Sequence, residues 1–148
     1  MSTPANALDI ALQAHQGQFD QGNGEPYIAH CLRVAARVAK HGEAAISAAL
    51  LHDAVEDSPL TIGDLYIEGF PPEVIDAVTL LTHIQGDDYE NYLRRIVAAG
   101  GIALAVKRAD NADNADPARL STLRDVDPDK ADRLAIKYER AYQILYFN

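Results

Sequence analysis

The run AALLHDAVED at residues 48–57 constrains this chain more than any other stretch. The helix that contains it, roughly 43–56, is apolar nearly all round, the pattern of a buried helix. The run then ends in His52, Asp53, Glu56 and Asp57, an imidazole and three carboxylates within six positions. A single helix over about 43–56 puts Glu56 one turn beyond His52, and Asp57 one turn beyond Asp53. Burying so many ionisable groups together is costly unless something compensates their charge. A divalent cation does so, and imidazole nitrogen with carboxylate oxygen suits Mn²⁺, Fe²⁺ or Zn²⁺ better than Ca²⁺. The competing reading is a solvated helix end carrying two i,i+4 pairs.

The remaining sequence is read mainly as helices. Residues 4–16 place Ala7, Ile10, Ala11 and Ala14 on one face, with Pro4 at the start. QGNGE at 21–25 is a loop. A helix over 27–40 is predicted from Ile28, Leu32, Ala35, Val38 and Ala39, with Gly42 ending it. A short helix begins near Thr61, where Thr61 and Asp64 form a capping box. Further helices are expected over 71–83, 87–101, 102–114 and about 128–146, the last with an inner stripe of Leu134, Tyr138, Ala141, Tyr142 and Leu145. Period-two alternation is scarce. The expected fold is all-α, a single domain over residues 1–148.

Charge narrows the partners. With 22 acidic against 13 basic residues the formal net charge is −9, which disfavours nucleic acid and anionic membranes. No run is long and apolar enough to span a membrane, the N-terminus lacks a signal-peptide layout, and the single Cys31 fits a reducing compartment; a cytoplasmic location is expected. Oligomeric state is left open.

Two more segments belong with the acidic run. His30 sits mid-helix in PYIAHCLRVA, and Asp110 closes the run LAVKRAD. A His, a His-Asp pair and a distal Asp on three helices resemble the HD phosphohydrolase superfamily. GEPYIAH, ALLHDAVED and VKRADNADN together resemble the hydrolase domain of RelA/SpoT proteins, especially the stand-alone small alarmone hydrolases, the metazoan SpoT homologue among them. The resemblance runs from about residue 7 to residue 120. It implies an HD-superfamily helical bundle in which His30, His52, Asp53 and Asp110 hold one metal, typically Mn²⁺. It makes Glu56 and Asp57 the acidic pair that positions and activates water. Asn114 becomes a substrate contact, and Tyr27, within GEPY, lies beside the pocket. The implied reaction removes pyrophosphate from the 3′ position of guanosine tetra- or pentaphosphate. The alternatives are an HD phosphohydrolase acting on another phosphorylated nucleotide or NADPH, and a non-catalytic nucleotide-binding module.

The chain departs from that family at the phosphate grip. Where members carry basic residues before GEPY, this sequence has Phe19, Asp20 and Gln21. A carboxylate there repels a polyphosphate by about 1 kcal/mol, depending on screening. Asn111 and Asp113 replace the family's Arg and His, and Cys31 its Pro. Arg33, Lys107, Arg108 and Arg119 are candidates to supply the missing positive charge. His15, His41 and His83 read as helix-end or packing residues, Cys31 as a small buried hydrophobe, and 110–119 as a wet helix end from which only Asp110 and Asn114 join the site.

Overall fold

The computed structural model describes residues 1–147, and its described residues form helices with no strand beyond one isolated bridge between Phe19 and Pro26. The helices are α1 Pro4–Ala14, α2 Ile28–Val38, α3 Glu43–Leu51, α4 Ala54–Asp57, α5 Ile62–Ile67, α6 Pro72–Leu81, α7 Tyr89–Ala99, α8 Gly101–Asn114, α9 Pro117–Val126 and α10 Pro128–Phe147, with a 3₁₀ turn at Ala39–His41. The all-α reading therefore holds.

The centre is α3. Ala45, Ala48, Ala49, Leu50 and Leu51 are all buried, and their small side chains let α1, α2, α6 and α8 pack closely around one helix. Val74, Val78, Leu93, Ile96 and Val106 close the core from α6, α7 and α8, each contributing about 1.5–3 kcal/mol by leaving water. Thr61 caps α5 through the predicted box with Asp64, and proline opens α1, α6, α9 and α10. Between α7 and α8 the chain reverses through Gly100 and Gly101, at φ 63° and 57°, a left-handed pair that glycine adopts without strain.

The structure corrects three expectations. The helix over 43–56 is interrupted: α3 stops at Leu51, His52 is its C-cap, Asp53 is the N-cap of a separate four-residue α4, and the two are joined by a turn. Residues 117–126 form a helix where only a wet helix end was expected. On α10, Tyr142 is 41% exposed and Ile144 is buried instead, because the helix turns its inner face toward α7 and α8 through Ala131, Ala141, Ile144 and Leu145.

Candidate metal centre

Three helices deliver four donor side chains to one point. His30 comes from the first turn of α2, His52 and Asp53 from the break between α3 and α4, and Asp110 from the polar half of α8. One ligand atom of each lies within 4.8 Å of those of the other three. Asp110 Oδ1 is 2.9 Å from His30 Nε2 and 3.2 Å from His52 Nε2, while Asp53 Oδ2 is 2.9 Å from His52 Nε2. The break is what aims His52 and Asp53, adjacent in sequence, at the same point.

The far side of each imidazole fixes its tautomer. His52 Nδ1 donates to the Ala49 carbonyl at 2.5 Å, and His30 Nδ1 lies 2.6 Å from Asp113 Oδ2. A carbonyl only accepts, so His52 Nδ1 carries a proton and Nε2 is left to face the cluster, offering a lone pair once its own proton is released; the Asp113 carboxylate draws a proton onto His30 Nδ1 the same way. Two lone pairs and two carboxylates then converge on one buried point, a donor set that fits a divalent transition-metal cation. Burial opposes charging His52, yet the neighbouring Asp53 and Asp110 carboxylates raise its affinity for a proton well above normal. Burial likewise opposes ionising Asp110, but Lys107 and the two histidines hold it well below the usual carboxylate range. Without a cation the cluster holds protons in its place, so metal binding releases them.

The cluster opens into a cavity of about 160 Å³ lined by Asp53, Glu56 and Asp110 among others. Glu56, from α4, accepts the His83 backbone N–H at 2.6 Å, and burial raises its pKa despite that bond. Asp57 lies beside this cavity and is not part of its lining; burial, then the charges of Asp53 and Glu56, push it up to about 6. The Asp57 carbonyl accepts from Gln18 Nε2 at 2.9 Å, tying the loop after α1 to α4. Tyr27 donates its hydroxyl to Asp53 Oδ2 at 2.5 Å, and Asn114 Nδ2 donates to Asp110 Oδ1 at 3.2 Å; both residues line the cavity. All eight candidate residues thus lie in one neighbourhood, seven at the cluster or its cavity and Asp57 beside them.

Several functional neighbours were missed. Asp113 grips His30, and burial notwithstanding, hydrogen bonds from His30 and Arg33 keep its carboxyl well below the ordinary range. Its position three residues after Asp110, on the same face of α8, was the available signal. His83 is a wall of the cavity, 4.8 Å from the Tyr92 ring and 5.6 Å from the Tyr89 ring. Tyr89, Tyr92, Lys137 and Tyr138 complete that wall; of the two from α10, Tyr138 lay on the expected inner stripe, whereas nothing in the spacing marks Lys137. Cys31 is buried and its thiol is pushed up to about 12, the inert role expected of it.

A second chamber of about 330 Å³ adjoins the first and shares Tyr27, Asn114 and Tyr138 with it. Phe19, Leu120, Leu123 and Leu134 give it apolar walls; Asp20, Arg119 and Lys130 give it charge. Asp20 faces Arg119 at 2.6 Å, so much of its charge is matched within the wall. Of the candidate cations, Arg33 bonds Glu25 and Asp113, Arg119 bonds Asp20 and Asp113, and Lys107 bonds Asp110. Arg108 donates to the Leu145 carbonyl and lines a different surface pocket.

A helical bundle with a His/Asp cluster buried at its centre defines the class: a domain built to hold a cation beside a small polar cavity. The HD domain family matches residues 7–126, and the chain belongs to it. The guanosine-3′,5′-bis(diphosphate) 3′-pyrophosphohydrolase of Haemophilus influenzae is 36% identical over 137 residues, covering 85% of this chain and 19% of that protein. The bifunctional (p)ppGpp synthase/hydrolase SpoT of Escherichia coli K12 is 33% identical over 85% of this chain and 19% of its own length. The chain therefore spans about a fifth of the curated relatives it matches. In three dimensions it is similar to a metazoan orthologue of SpoT, described as hydrolysing ppGpp and playing a role in starvation responses. That similarity has a TM-score of 0.78 at 22% identity, over 97% of this chain and 85% of the other, and establishes the fold.

Proposed function

We propose that residues 1–148 form one HD phosphohydrolase domain that removes the 3′-pyrophosphate from guanosine tetra- or pentaphosphate, using one divalent cation, Mn²⁺ first and Fe²⁺ or Zn²⁺ as alternatives. The observation that carries the reading is the meeting of four converging donors with a carboxylate, Glu56, that faces the same cavity without belonging to the donor set. When bound, the cation supplies a more acidic water and neutralises charge on the phosphoryl oxygens. His30, His52, Asp53 and Asp110 hold it; Tyr27 and Asp113 keep Asp53 and His30 in register. Glu56 takes the proton of the attacking water, with Asp57 setting the field around it. The water oxygen joins phosphorus, the bond from phosphorus to the ribose 3′ oxygen breaks, and that oxygen takes up a proton from solvent to leave as the 3′ hydroxyl, while Glu56 returns the proton it received to solvent. Asn114 and Tyr27, shared by both chambers, contact the substrate where nucleoside and diphosphate join. A cytoplasmic location belongs to the same reading; among the described residues no helix is long and apolar enough to cross a membrane.

The deciding experiment is pyrophosphate release from guanosine tetraphosphate by metal-stripped protein with Mn²⁺ added back, beside Asp53→Ala and Glu56→Gln. Turnover that needs Mn²⁺, Asp53 and Glu56 is expected, with Glu56→Gln retaining its metal. One observation favours the second reading, a different phosphorylated nucleotide or NADPH: the side-chamber guanidinium of Arg119 is already bound to Asp20 and Asp113. Turnover of such a substrate without alarmone turnover would select it. Metal binding with no turnover of any substrate would leave the non-catalytic nucleotide-binding module.

A further inference from the structure

We infer that Lys137, on the C-terminal helix α10, is the cation that grips the distal phosphoryl group of a diphosphate bound in the metal-side cavity. The inference deepens the proposed function, since it rests on that cavity receiving a phosphate ester.

Electrostatics selects the residue. The cavity presents Asp53, Glu56 and Asp110 to an incoming anion. A single divalent cation offsets two of these charges, and a polyphosphate adds several more, so fixed positive charge is needed beyond the metal. Two lysines line the space, Lys107 and Lys137. Lys107 is held by Asp110 at 2.9 Å and largely buried against Tyr89 and Tyr92, so its charge is already matched. Lys137 has no ion-pair or hydrogen-bond partner among the described residues. Its ammonium stands 4.4 Å from the centre of the Tyr89 ring. That ring braces the side chain at the wall without consuming its three N–H donors.

Size points the same way. At about 160 Å³ the metal-side cavity is the smaller of the two chambers, and the adjoining one, at about 330 Å³ and with apolar walls, is the roomier place for a nucleoside. The nucleoside then belongs in the adjoining chamber reached past Tyr27, Asn114 and Tyr138. A diphosphate threaded from that junction places one phosphorus at the metal cluster and the other toward the outer wall formed by Tyr89 and the exposed Lys137. Lys137 lies on α10, beyond residues 7–126 matched by the HD domain family.

The test is calorimetric titration of inorganic pyrophosphate into protein loaded with one equivalent of Mn²⁺, comparing wild type, Lys137→Gln, Lys137→Arg and Lys40→Gln. Lys40 is exposed and lines a different surface pocket, not this cavity, so its variant removes the same charge elsewhere. Lys137→Gln is expected to weaken pyrophosphate about tenfold or more, with unchanged Mn²⁺ affinity and melting temperature, while Lys137→Arg recovers most of the loss and Lys40→Gln binds as wild type. Equal affinity in wild type and Lys137→Gln, an equal loss in Lys40→Gln, or no pyrophosphate binding by wild type would each overturn the inference. Steady-state kinetics on guanosine tetraphosphate separates it from the proposed function. Turnover with an unaltered KM in Lys137→Gln removes Lys137 and leaves the activity standing. Lys137-dependent pyrophosphate binding without turnover keeps the grip and removes the activity.

Discussion

Asp113 reaches His30 by its far nitrogen and is itself gripped by Arg33 at 2.8 Å and Arg119 at 2.9 Å. This one carboxylate fixes the orientation of an imidazole donor while two guanidiniums keep it ionised. Asp113→Asn, nearly identical in shape, loses the charge that holds the His30 proton on Nδ1. It should weaken Mn²⁺ binding about 10- to 100-fold, measured by titration of the metal-stripped protein. Asp57 offers a second check, through pH. Burial and the negative charges of Asp53 and Glu56 set it at about 6 without metal. A cation between Asp53 and Asp110 opposes the charge contribution and lowers that value. The acid limb of kcat/KM for the Mn²⁺ enzyme should therefore fall below pH 6, activity being lost as pH drops through it. A limb centred above that pH would show that the acidic pair does not set the profile.

At the scale of elements, the loop before α2 and helix α9 act as one part. Asp20 Oδ1 accepts the backbone N–H of Gly22 at 2.8 Å and of Asn23 at 3.1 Å, folding the loop, while its Oδ2 meets Arg119 of α9. A Cβ on Gly22 would stand 3.0 Å from the backbone nitrogen of Leu123 and 3.1 Å from its Cα, atoms that cannot yield without moving α9. Gly22→Ala should cost about 1–3 kcal/mol, read as a lower melting temperature, and should loosen the wall of the second chamber. Periodicity and caps predicted most helices, because each carries a stripe that pairs with its neighbours. Helix α9 has no buried residue and so no stripe to find, although Asp116 as N-cap and Pro117 behind it were signals in plain sight. The break between α3 and α4 left no trace in spacing, since His52 and Asp53 fit a continuous helix as well as a turn. The four candidate donors were legible through their motif, and the fold brings them together; the aromatic and lysine wall was not, because Tyr89, Lys107 and Lys137 come from three helices whose meeting only the fold decides.

For the molecule as a whole, the cluster is a buried point of mutual repulsion at the junction of α2, α3, α4 and α8, relieved by protons or by a cation. Removing metal should lower the melting temperature. At a metal concentration of a hundred times Kd the difference is about 2.7 kcal/mol, or ~5–10 °C for a chain of this size, restored by Mn²⁺ and followed by calorimetry with and without chelator. The same junction determines how the protein looks to light. The chain has no tryptophan, and Tyr27, Tyr89, Tyr92 and Tyr138, four of its seven tyrosines, surround the cavity. Its near-ultraviolet emission is thus tyrosine emission, with the Tyr27 phenol bonded directly to Asp53 of the His/Asp cluster. The protein carries intrinsic chromophores around its His/Asp cluster, so a titration with Mn²⁺ can be followed without attaching a dye.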